Sequence, residues 1–197
     1  MTLRKWFYLF WTTLLAGAIA ALAAGLSLQL SDQEITWGGR EMGFNAASML
    51  LGGTLISVFS QMGFFAYLIV RYMAVGMFRN RWTWNMIQVI VILIVMFDLI
   101  YLRYTESADE GLAAFILLPV FLLLAAAGIA WWKVRLTNTS SWIPTLFFMI
   151  AVTSIEAIPW LRLNNAASTV FMMVPLMACN AWQILILSKV VNANKEP

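Results

Sequence analysis

Histidine is absent from the 197 residues, which removes Ser-His and Cys-His nucleophile pairs and every His-ligated metal site together. The single cysteine, Cys179, lies in the middle of the last apolar stretch. One thiol forms neither an intrachain disulfide nor a thiolate metal cluster, so its role is packing. Charge is scarce as well: 11 % of the chain, against about 25 % in an ordinary soluble domain. No connector exceeds about a dozen residues, which leaves no room for an extramembrane domain. Low-complexity tracts are missing, and so is an inverted repeat of the transporter kind. No metal, cofactor or nucleic acid is expected as a ligand.

What is present is apolar: 62 % hydrophobic residues and ten tryptophans. The apolar residues fall in runs of the length needed to cross a bilayer as a helix, about 20 residues. Six spans are predicted, at 6–30, 44–70, 82–102, 111–132, 142–161 and 166–188, in one all-α polytopic membrane domain over 1–197. If they alternate, Arg4, Lys5, Arg71, Arg79, Arg81, Lys133, Arg135, Lys189 and Lys195 fall on one side, and only Arg40, Arg103 and Arg162 on the other. Nine basic residues against three put both termini in the cytoplasm by the positive-inside rule. Trp6, Trp11, Trp82, Trp84, Trp131, Trp132 and Trp142 mark headgroup level. The N-terminus imitates a secretory signal, with Arg4-Lys5 before an apolar run and Ala20-Ala21-Leu22-Ala23-Ala24 after it. The run of 25 residues exceeds a signal core of roughly 7 to 15, so the first helix is read as retained.

Two carboxylates interrupt this pattern, Asp98 in the third span and Glu156 in the fifth. A charge near the bilayer centre costs roughly 2.5 to 3.5 kcal/mol even on mild insertion scales, so each requires pairing, hydration or protonation. They stand 16 and 14 residues from the inner ends of their spans, at nearly equal depth in the outer half. Each is followed outward by an arginine, Arg103 and Arg162, which predicts a polar cluster of Asp98, Arg103, Glu156 and Arg162. The cluster either fixes helix packing or acts as a switchable sensing site. A proton pathway would want ionisable groups in the inner half, where the large polar groups are Gln61, Gln88, Asn180 and Gln183, suited to interhelical hydrogen bonds. Pro159 is expected to kink the fifth span beside Glu156.

Helix one carries Ala16, Ala20 and Ala24 on one stripe and Gly17, Ala21 and Gly25 on the next. Such stripes let backbones approach closely. Internal packing is the default reading, and a docking face for another membrane protein is the alternative. The inner connector bearing Arg71, Arg79 and Arg81 is a candidate cytoplasmic contact, or an anchor to anionic lipid. Intramembrane proteolysis is excluded: serine and metal types require histidine, and the aspartyl type requires Tyr-Asp with Gly-x-Gly-Asp, which this chain lacks. The chain is read as a non-enzyme.

Two stretches carry a family resemblance: Phe59-Ser60-Gln61-Met62-Gly63-Phe64-Phe65-Ala66-Tyr67-Leu68 and Phe97-Asp98-Leu99-Ile100-Tyr101-Leu102-Arg103-Tyr104. With the length, the six spans and the cytoplasmic termini, they resemble the KinB-signalling pathway activation family, KbaA. The resemblance implies a multi-pass plasma-membrane protein of endospore-forming bacteria. It would help a membrane sensor histidine kinase, KinB, feed phosphate into the sporulation phosphorelay by association, with no active site to carry over. Length, span count and the alanine stripe are also similar to the substrate-binding component of energy-coupling-factor vitamin transporters, where the stripe would dock a transporter subunit.

Overall fold

The computed structural model describes residues 3–31, 39–106, 112–161 and 166–192. Helices account for nearly all of them: α1 (Leu3–Ser31), α2 (Gly39–Met77), α3 (Arg81–Glu106), α4 (Leu112–Leu136), α5 (Trp142–Phe147), α6 (Thr153–Leu161) and α7 (Ala166–Asn192). Among the described residues six stretches are long and apolar enough to cross a membrane, as the hydropathy predicts. Most boundaries shift outward by a few residues from the sequence reading, and the largest shift is at the end of α2. Helix α2 continues seven residues past 70 to Met77, so Arg71 belongs to a helix and the inner connector shrinks to Phe78, Arg79 and Asn80. Hydropathy stops at the first charge, but the backbone has no reason to, and arginine is a good helix former. Asn80 then opens α3 by accepting the Trp82 amide at 3.0 Å.

The fifth span is not one helix. After α5, residues Phe148–Val152 form a π-helical turn, and only then does α6 begin. Pro159 lies within α6, downstream of this irregularity.

The described residues form two compact units, one from 1–62 with 159–197 and one from 63–158. In the first, α1 lies along α7, and small residues set the distance to α2. Gly53 faces Ala21 and the backbone of Gly17 and Ala18, while Gly25 faces the Met49 side chain. A buried polar seam follows the same helices. Ser60 donates to Asn180 Oδ1 at 2.7 Å, Gln183 Nε2 donates to Ser60 at 3.2 Å, and Gln61 Nε2 donates to the Phe10 carbonyl at 3.3 Å. Cys179 is buried as expected, 3.4 Å from the Ser57 hydroxyl. Replacing Asn180 by leucine leaves the buried Ser60 hydroxyl without its acceptor and breaks the chain from Gln183 through Ser60 to Asn180, and is expected to cost about 1–2 kcal/mol. A thermal midpoint in detergent that does not fall would refute this.

The second unit is built on aromatic contacts. Phe64 meets Phe148 edge-on at 5.6 Å, and Tyr67 packs on Phe148 at 5.0 Å and Phe147 at 6.1 Å. Trp84 extends the row from Phe147 to Phe78. The π-helical turn is its centre, with Phe148, Met149 and Ile150 wholly buried.

Candidate functional site

Glu156 stands on the first turn of α6, directly after the π-helical turn. Its Oε1 is enclosed, and the carboxylate lies over Gly63 of α2. A Cβ on Gly63 would occupy the place of that oxygen and come within 3.0 Å of Val152 Cγ1. Glycine in a helix interior costs about 1 kcal/mol relative to alanine, so its presence calls for a close approach, and the carboxylate supplies one. Ser154, two residues earlier, is buried with a hydroxyl oxygen that bonds no partner among the described residues. Single π turns inside α-helices occur often at functional sites.

Of the expected polar cluster only Asp98 and Glu156 have described side chains, and these two do not bond each other. Asp98 is exposed on α3 and makes no hydrogen bond or ion pair among the described residues, whereas Glu156 points inward. Equal depth along two helices fixes nothing about the direction each side chain takes, and here the directions differ. Arg162 lies outside the described residues, and Arg103 is described only as backbone of α3.

The stripe on α1 turns inward. Gly17, Ala21, Ala24 and Gly25 are buried, and Ala16 and Ala20 are half-buried. A methyl at Gly17 would fall on the Ser57 hydroxyl and lie 2.7 Å from Cys179 Sγ. Internal packing thus takes the face that the docking alternative needed. Arg71, Arg79 and Arg81 are all exposed, from the last turns of α2 to the first residue of α3. Lys133, counted in the sequence as a rim charge, is only 6 % exposed.

Sequence reasoning missed the part played by 60–67. Within that stretch Ser60 and Gln61 serve the first unit's polar seam, while Gly63, Phe64 and Tyr67 serve the second. Tyr67 also donates its hydroxyl to the Pro144 carbonyl at 3.4 Å. A glycine in mid-span, in a chain with an intramembrane glutamate, was the available signal. Gln88 is the exception among the inner polar groups: it is fully buried, with neither amide atom bonded among the described residues.

The first unit also carries a groove of about 490 Å³ lined by Leu28, Leu55, Phe59, Phe171 and Met172, among others. Ser168 is its only hydroxyl. Sites for small molecules combine apolar walls with several placed polar groups, so this groove lends the vitamin-binding alternative no support.

The family described as KbaA, KinB-signalling pathway activation in sporulation, matches residues 17–190. A relative from Bacillus subtilis (strain 168), named KinB-signaling pathway activation protein, is 36 % identical over 185 residues, covering 91 % of this chain and 93 % of its own length. No solved structure matches the chain.

Proposed function

This chain belongs to the KbaA family of KinB-signalling pathway activation proteins, and on that premise we propose that it is a non-enzymatic integral membrane activator of a KinB-type sensor kinase. It acts by helix–helix association in the plasma membrane of an endospore-forming bacterium, with both termini in the cytoplasm. The observation that carries the reading is the match over 17–190, which takes in the second half of the first stretch able to span a bilayer and the whole of the other five. The surface chemistry supports it. Large apolar side chains are exposed along the helices, among them Leu15, Ile19, Leu51, Leu55, Leu117 and Leu124. A soluble monomer rarely shows apolar patches beyond a few hundred Å². Trp11, Trp82, Trp131 and Trp132 are exposed, as interfacial anchors would be.

Activation without chemistry is a population shift. The protein must bind the signalling state of the kinase more tightly than the resting state, and each tenfold shift takes about 1.4 kcal/mol of differential contact. Glu156 over Gly63, beside a π-helical turn, is the element best suited to hold two arrangements.

Deleting the gene from its host is expected to delay sporulation and lower a phosphorelay-dependent reporter, and the intact chain supplied in trans restores both. Unchanged reporter output would sink the kinase reading. Release of the protein from membranes by alkaline wash would sink the membrane one.

A further inference from the structure

The outward face of α3 presents a carboxylate that no described residue bonds. Of the six apolar stretches, that of α3 is the least enclosed, 11 % buried against 28 % to 50 % for the others. Its exposed side chains form one stripe: Ile90, Leu93, Ile94, Phe97, Asp98 and Tyr101. Asp98 is the stripe's only ionisable acid, and it bonds no described residue. From Arg81 the helix climbs about 26 Å to Asp98, short of the roughly 30 Å thickness of a hydrocarbon core.

No described side chain of α3 meets this charge. The residues one turn away, Ile94, Val95, Tyr101 and Leu102, carry no cation. Arg103 lies five residues on, about 140° round the helix, and only neighbours three or four apart share a face. An aspartate has one methylene and does not snorkel as lysine or arginine does. A second copy packed on the same face would bring Asp98 against Asp98, like charge on like charge.

We infer that this face docks a transmembrane helix of the kinase-side partner that carries a lysine or arginine at the depth of Asp98. The inference rests on the membrane-activator reading above. Charge complementarity selects the occupant: a cation on a long flexible stem, arriving from the outer rim, neutralises the carboxylate while apolar side chains pack around it. Phe97 and Tyr101 stack at 6.3 Å with planes 12° apart, a flat aromatic wall beside Asp98 over which a guanidinium can lie.

The test uses the full chain and the full-length KinB-type kinase of the same host, in native membranes. Ile94→Cys in a Cys179→Ala background places one thiol a turn below Asp98, and the kinase carries single cysteines beside each basic residue of its membrane helices. The expected result is a disulfide to one kinase helix. Asp98→Lys is expected to lower its yield and the phosphorelay reporter about tenfold, and Asp in place of the kinase's basic residue restores both. Asp98→Asn tests charge without bulk, and membrane abundance is measured for every variant. Wild-type cross-linking and signalling by Asp98→Lys and Asp98→Asn overturn the inference, and so does a disulfide only between two copies of this chain. If deletion of the gene lowers the reporter while the Asp98 variants do not, this surface fails alone; if deletion has no effect, the activator reading itself fails.

Discussion

Alanine at Gly53 is expected to lower stability by about 2–3 kcal/mol. The new carbon would lie 2.7 Å from the Gly17 carbonyl oxygen and 3.0 Å from Ala18 Cα. Both are backbone atoms, so no side chain can turn aside and the two helices must part. The loss comes after the gain of about 1 kcal/mol that alanine brings to any helix interior. Gly128 of α4 isolates that gain, because among the described residues no atom beyond its chain neighbours and the local helix backbone lies within 4 Å of a methyl placed there. Gly128→Ala should therefore raise the thermal midpoint in detergent while Gly53→Ala lowers it. A rise for both would mean that the α1–α2 approach is looser than described.

Gly63 is the second such position, and its effect should reach signalling. Gly63→Leu is expected to prevent the membrane accumulation of the protein or abolish activation. Gly63→Ala, which displaces the carboxylate and crowds Val152 Cγ1 at 3.0 Å, should cost about 1–3 kcal/mol. Because the obstacle is Glu156, the double variant Gly63→Ala, Glu156→Ala should recover part of that loss. A coupling of about 1 kcal/mol or more in the double-mutant cycle is the signature of direct contact. Additive effects would show that Glu156 does not depend on a bare backbone at Gly63.

Much of this was legible in the sequence. Uninterrupted apolar runs gave six spans because hydropathy responds to the same requirement that makes the backbone helical, burial of apolar surface with every peptide group bonded internally. The small residues of α1 were readable as a packing face, since glycine and alanine repeat every four positions for few other reasons. Gln61, Asn180 and Gln183 were readable as interhelical partners, and each makes such a bond.

Direction round a helix was not legible. The depths of Asp98 and Glu156 follow from counting residues, but whether a side chain faces inward depends on the neighbouring helix, which no local pattern names. The pairing of Glu156 with Gly63 joins residues far apart in sequence, and neither announces the other. The extension of α2 through Arg71 escaped for a different cause: hydropathy reports where lipid ends, not where hydrogen bonding does.

The π-helical turn at Phe148–Val152 puts the fifth span in two reading frames. One additional residue per turn rotates everything beyond it by about 100°. Counting in α-helical steps from buried Thr145 would bring Val152 and Glu156 to the same side, about 20° either way, yet it is Thr153 and Ala157 that are buried there, with Ser154 beside them, while Ile155 is 60 % exposed. The slip hides two hydroxyls and shows an isoleucine, the reverse of what composition favours in water and the arrangement that suits lipid. It also sets the azimuth of Glu156: in an unbroken α-helix with the same start, the carboxylate would sweep past Gly63, and the glycine would have nothing to make room for.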